Sequence, residues 1–377
     1  MKTPIRKLSL AIAGFIVASA AHSAEVYNKD GNKLDINGMV VGENYISNDK
    51  SVNGDQSYMR FGFRGETQIN DQLTGYGQWQ AQWNLNQTEN QSNQMYTRIG
   101  YAGLKYGNYG SFDYGRNSGI MYDAFSYTDM QPEFDGLTYN SDQFLFHRGN
   151  GLATYRNDNF FGLVDGLHFA LQYQGKNDGG GEPGVRDVLR QNGDTFGMSA
   201  AYDIGAGFSV AGAFMSGDRT NEQNSLTSGI MGHGSKAEAY TAAIKYDANN
   251  VYLAVMYARA YNASRFGSAS SDDSAYGYAN QSDLFEAYAG YTFDFGLVPF
   301  IGYNQTRAKH LGASADGNTY GNQDLVKFVD IGATYNFNKN MNAYVDYQIN
   351  LMDSSEFSQS AGISTSDVVA VGMVYQF

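Results

Sequence analysis

Apolar and polar residues alternate with period two over long stretches of this chain. Leu73, Gly75, Gly77, Trp79, Ala81, Trp83 and Leu85 alternate with Thr74, Tyr76, Gln78, Gln80, Gln82 and Asn84. Met341, Ala343, Val345, Tyr347 and Ile349 alternate with Asn342, Tyr344, Asp346, Gln348 and Asn350. Such alternation predicts strands with one face for an apolar medium and one for water. Strands of soluble sandwiches average about five to six residues. These runs reach the roughly 9–11 residues that a tilted strand needs to cross a bilayer.

Sixteen candidate strands follow one another, centred on Asn37, Phe63, Trp79, Tyr101, Asp113, Thr154, Leu171, Met198, Ala211, Ala242, Val255, Tyr288, Tyr303, Gly332, Val345 and Val371. An even count suits closure of a single-chain antiparallel barrel. The connections alternate in length. Asn70-Asp71, Asp247–Asn250, Asp294–Gly296 and Asn338–Asn340 are tight-turn sequences, rich in residues that tolerate turn backbone angles. Long polar stretches at 177–192, 220–236, 260–281, 311–324 and 353–365 lie between them. Short turns at one end and long loops at the other are the outer-membrane arrangement. The expected fold is therefore all-β, a 16-stranded antiparallel transmembrane barrel occupying residues 24–377 as one domain.

The third long connection, 117–141, differs from the others. It carries Tyr122, Asp123, Asp129, Pro132, Glu133, Phe134 and Asp135, a mixture that favours a fixed fold over a floppy polar loop. The residues alone leave two readings open: a segment folded into the lumen, or a packed external loop.

Composition narrows the class. Thirty Tyr, 23 Phe and 45 Gly against four Pro, with a mean hydropathy of −0.44, fit a barrel whose two faces cancel in any average. The first 23 residues read as a processing signal. Lys2, Arg6 and Lys7 precede an apolar run from Leu8 to Ala21, and Ala21 and Ser23 supply the small residues of a cleavage site. The net charge of −13 opposes nucleic-acid binding, which needs a basic face. With no cysteine, disulfides and thiolate metal sites are excluded, and nothing in the sequence calls for a metal or other cofactor.

Several segments carry a closer likeness. Residues 24–33 (Ala24-Glu25-Val26-Tyr27-Asn28 onward), Gly65–Asn70, Ala102–Tyr106, Gly110–Asn117, Pro132-Glu133-Phe134, Phe160–Leu167, Lys245–Asn250, Phe337–Met341 and Val374–Phe377 resemble the general porins of enteric Gram-negative bacteria, the OmpC, OmpF and PhoE group. The resemblance spans the whole chain after residue 23. Arg148–Gly151 and Arg190–Asp194 look most like the OmpC branch. It implies an outer-membrane general diffusion porin, a water-filled and weakly cation-selective pore for ions and small hydrophilic solutes. It also implies a homotrimer, and a third loop folded into the pore.

Residue by residue, the resemblance places acids Asp129 and Glu133 opposite bases Arg60, Arg98 and Arg148 at a constriction, with Tyr122 beside them. Alternation supports the first of these independently, since Arg60 shares a face with Gly62, Arg64 and Glu66 and opposes Phe61 and Phe63. Charge on the lipid face costs about 2–4 kcal/mol at the bilayer midplane. The chain departs from the family at Met39, where relatives carry a Lys, so one positive rung is missing. Glu89, in the second loop, is the counterpart of a latch onto a neighbouring subunit, or else a solvated acid. Phe377 and Tyr375 resemble the terminal signal read by the barrel-insertion machinery. Lipid and lipopolysaccharide are expected neighbours, and phage or colicin contacts at the external loops are a secondary use that the sequence leaves open. A sugar-specific channel is the alternative function. An enzyme is not expected, because His147, His168, His233 and His310 sit in no catalytic motif.

Overall fold

The computed structural model describes residues 24–91, 94–134, 136, 138–178, 186–225, 229–232, 234–268, 274–314 and 317–377. The proposed signal 1–23, Asp135 and His233 lie outside them. Sixteen long strands among the described residues form one antiparallel ring. They are β1 (Asn32–Ser47), β2 (Tyr58–Gln68), β3 (Leu73–Asn84), β4 (Met95–Tyr106), β5 (Ser111–Ser118), β6 (Arg148–Asn157), β7 (Leu167–Gln174) and β8 (Thr195–Gly205). The ring continues with β9 (Phe208–Asp218), β10 (Lys236–Ala248), β11 (Val251–Tyr261), β12 (Gln281–Tyr291), β13 (Leu297–Ala313), β14 (Thr319–Asn338), β15 (Met341–Asn350) and β16 (Val368–Gln376). Each strand pairs with its sequence neighbours, and β1 closes the ring against β16 from Met39↔Gln376 to Ser47↔Val368. Every one of the sixteen expected centres falls within one of these strands. A closed sheet leaves no unpaired edge, which is the condition for crossing hydrocarbon with strands.

The seam uses both ends of the chain. Phe377 N–H donates to the Gly38 carbonyl at 3.0 Å, and Gly38 N–H returns a bond of 3.0 Å to the Phe377 carbonyl. A short strand that alternation alone did not predict, Ala24–Lys29, pairs with the lower half of β1 from Ala24↔Ile36 to Lys29↔Asn32. It extends the line of β16 beside β1. Gly38 permits this closure, because a Cβ there would stand 2.7 Å from the Phe377 ring.

Alternation sorts the two faces as expected. Phe63, Phe112, Tyr173, Ile244, Val371 and Met373 point outward and are exposed. The inward face is less uniform. On β2–β4 it carries Arg60, Arg98 and the glutamines, whereas on β9–β11 it carries Ala211, Ala213, Met215, Ala239, Ala243, Ala254 and Met256, all buried. Small apolar residues would suit a water-filled lumen poorly unless something covered them. The cover is the chain between β5 and β6, residues 119–147. Its Ile120, Met121, Ala124, Phe125, Leu145 and Phe146 form the main apolar cluster together with those alanines and methionines. This segment contains α1 (Tyr122–Phe125) and is longer than the 117–141 read from sequence. Asn117 and Ser118 still belong to β5, and the segment runs on to His147.

Candidate functional site

Strand register assembles the basic side of the narrow zone. Met39, Arg60, Gln82 and Tyr96 stand opposite one another across β1, β2, β3 and β4, so they share the inward face. A β-bulge then re-aims the wall. Gln80 pairs with Ile99 and Ala81 with Thr97, leaving Arg98 as the extra residue. Bulges turn a side chain out of the regular alternation. Here Arg98 reaches back to Gln80 Oε1 at 3.2 Å and Gln82 Oε1 at 3.0 Å. Arg60 donates to the same Gln82 oxygen at 2.9 Å, and its Nη1 lies 3.9 Å from Met39 Sδ. Arg148, opening β6, lies 3.2 Å from His147 Nε2. The three guanidinium groups are therefore held by neutral acceptors. No ion pair joins any of them to Glu133 among the described residues.

The acidic side depends on the 119–147 segment. Thr128 donates to Glu286 on β12 at 2.5 Å, and Thr138 donates to the other oxygen of the same carboxyl group. Tyr252 on β11 donates to the Tyr127 carbonyl at 2.8 Å, and Phe134 N–H reaches Asp346 on β15 at 3.4 Å. At the near end, Arg156 and Ser199 hold Asp123 at 2.9 and 2.5 Å. At the far end, Arg116 grips Asp142 with two bonds of 2.8 and 3.2 Å. These partners lie on β5, β6, β8, β11, β12 and β15. The segment thus spans the bore from one wall to the other.

Each expected site residue has a definite place. Glu133 accepts from Tyr45 on β1, and from Tyr344 on β15 at 3.4 Å. Asp129 accepts from Tyr122 at 2.5 Å. The Tyr122 ring packs on His147, with centroids 4.8 Å apart. Met39 is half-buried beside Arg60. Glu89 is exposed between β3 and β4, away from this cluster. Tyr375 faces outward beside the Phe377 ring at the seam, with centroids 6.2 Å apart.

Three participants escaped the sequence reading. Glu43 sits on the inward face of β1, where odd-numbered Asp35, Asn37 and Met39 already marked that face. Asp142 lies beyond the expected end of the segment. His147 is enclosed by the arginines. Burial, with the charges of Arg148, Arg98, Arg116 and Arg60, pushes its imidazole down to about 2, so it is neutral at any physiological pH. Counting odd positions upward from Asp35 would have found Glu43. Nothing local in the sequence marks Asp142 or His147.

Among the described residues no group of three or more His, Asp or Glu is placed to hold a metal ion. The site sets arginines on the barrel wall and acids on the 119–147 segment, an arrangement of opposed charges that can orient and sort solutes. Comparison with known proteins agrees. The model of the Gram-negative porin family matches residues 29–377. Outer membrane porin C of Serratia marcescens is 64% identical over 99% of this chain and all of its own length. Its namesake in Salmonella typhimurium is 55% identical over 99% of this chain and all of its own length. Among solved structures, Salmonella typhi OmpF in complex with daunomycin superposes with a TM-score of 0.83 at 44% identity, covering 94% of this chain and all of that one.

Proposed function

The chain belongs to the Gram-negative porin family and is an outer-membrane diffusion channel, not an enzyme, and from that premise we propose how its pore selects. Arg60, Arg98 and Arg148 line one side of the narrow zone. Asp129 and Glu133, with Tyr122 behind Asp129, line the other. Size exclusion comes from the 119–147 segment, and weak cation preference from a positive side that lacks a Lys at Met39. The observation that carries this reading is the split in anchoring. The arginines bond to neutral groups and not to an acid of the segment, while the acids are held across the bore on a segment tied to Glu286 and Asp346. Small ions and hydrophilic solutes pass by diffusion. A sugar-specific track would need a run of inward aromatics, whereas Tyr76 and Tyr344 are each engaged by a carboxyl group.

The remaining roles belong to the same proposal. Residues 1–23 are cleaved after export. The mature chain forms a homotrimer, with Glu89 latching onto a neighbour, in contact with lipid and lipopolysaccharide. Phe377 and Tyr375 are read by the insertion machinery. Planar-bilayer recording under a KCl gradient tests the central claim. A reversal potential of the cation-preferring sign, with non-saturating flux of small sugars into liposomes, is expected; anion preference or saturable sugar flux would overturn it. For assembly, Glu89→Ala is expected to lower the temperature at which gel-resolved trimers dissociate.

A further inference from the structure

Glu43 stands in register between two strands that bring other groups to it. Across the seam its row runs Tyr344 on β15, Gly372 on β16 and Glu43 on β1. Gly372 has no side chain to interrupt the row, and a Cβ there would lie 2.4 Å from the Tyr344 ring. Tyr344 therefore lies flat across Gly372 and delivers its hydroxyl to Glu43. The same hydroxyl stands 3.4 Å from Glu133. Glu43 and Glu133 thus meet on one hydroxyl, and Arg60 stands on the same inner wall, paired across the ladder with Met39. Tyr45 holds the second oxygen of Glu133, and Tyr58 lies beside both acids with the Arg60 guanidinium 4.6 Å above its ring.

Two carboxylates brought to one hydroxyl repel each other at close range. Like charges at such range do not both persist. We propose that Glu43 is a further selectivity residue of this channel, paired with Glu133 so that the two together supply one negative charge to the acidic side of the constriction. The inference rests on the reading of the 119–147 segment as that constriction. It deepens that reading by giving the acidic side a member fixed on the barrel wall. Glu43 lies on the inward face two inward positions from Met39. This stretch of β1 therefore presents a neutral residue and an acid, with no positive charge of its own to oppose cations.

The test is a double-mutant cycle in full-length channels, reading reversal potentials under a KCl gradient at neutral pH. Glu43→Gln and Glu133→Gln are each expected to lower the K⁺/Cl⁻ permeability ratio by less than about two-fold, and the double variant by about five-fold or more, the loss of a unit charge at close range. Glu43→Lys is expected to carry the preference toward anions. Single-channel conductance, read in parallel, separates a loss of charge from a change of bore. Three results would each overturn the proposal: a double variant that equals the product of the singles, no effect of Glu43→Gln when Glu133→Gln is already present, or a selectivity change that comes only with a jump in conductance. Failure of the constriction reading itself would show separately, as unchanged selectivity in Arg98→Gln and Arg148→Gln.

Discussion

The two sides of the proposed narrow zone carry opposite charge and are built by opposite means. Arg60, Arg98 and Arg148 stand on β2, β4 and β6, where ladder register and one bulge set their direction. Asp129 and Glu133 stand on a segment with a single turn of helix and no ladder of its own. Their position comes from bonds to Glu286, Asp346, Tyr45 and Tyr344, far away in sequence. A charge on a strand moves only if the barrel moves. A charge on the segment moves whenever its docking fails. On the proposed reading, selectivity from the first side is robust, and selectivity from the second is coupled to bore size.

The comparison is broken most forcefully at Glu286. Glu286→Ala removes the acceptor of the Thr138 hydroxyl, at roughly 1–3 kcal/mol for a buried orphan, and leaves Thr128 only the Phe125 carbonyl. Single-channel current is expected to become larger and noisier, and the 119–147 segment easier to cleave with protease. A quiet channel of parental size would mean that the apolar packing and the anchors at Asp123 and Asp142 hold the segment without Glu286. Next in size is Arg98→Ala, which removes one strand-borne charge. It is expected to raise cation preference by a few-fold while the current stays at one steady level, because the bulge belongs to the barrel.

Met39→Lys is a smaller change with the opposite sign. It restores a positive charge next to Arg60, and its effect is diluted by the arginines already present. Two unit charges ~8 Å apart interact by about 0.5 kcal/mol in water and ~2 kcal/mol at an effective dielectric near 20. Reversal potentials should show cation preference reduced about two-fold; an unchanged or increased preference would place Met39 outside the selective zone. The smallest expected effect is at His147. Its imidazole is held neutral by burial and by the surrounding arginines, so it does not titrate between pH 5 and 8. Selectivity plotted against pH should have the same shape in His147→Gln as in the parent. A step near pH 6 present only in the parent would show that the imidazole gains a proton there.

Strand number, facing and the candidate charges were legible in the chain because a strand's two faces are decided by parity. Once Phe63 must meet lipid, Arg60 must meet water. The Met39 departure was visible for the same reason. Parity was less informative at Arg98. The bulge breaks the count there, and the resemblance to known porins supplied what alternation could not.

What the sequence by itself determined is therefore the barrel: sixteen amphipathic strands, short turns at one end, and Arg60 on the inner face. Local period and turn chemistry suffice for that, since each strand needs only its neighbours. Tertiary structure alone decided where the 119–147 segment goes. Its residues suit a packed external loop equally well, and the outcome turns on alanines and methionines of β9–β11 and on Glu286, which lie some 70 to 160 positions onward. It also decided that Glu43 meets Glu133. That contact needs the ring to close through β16, so that Tyr344, Gly372 and Glu43 fall in one row, and the segment to reach the same spot from across the bore. No pattern within β1 or within the segment contains either condition.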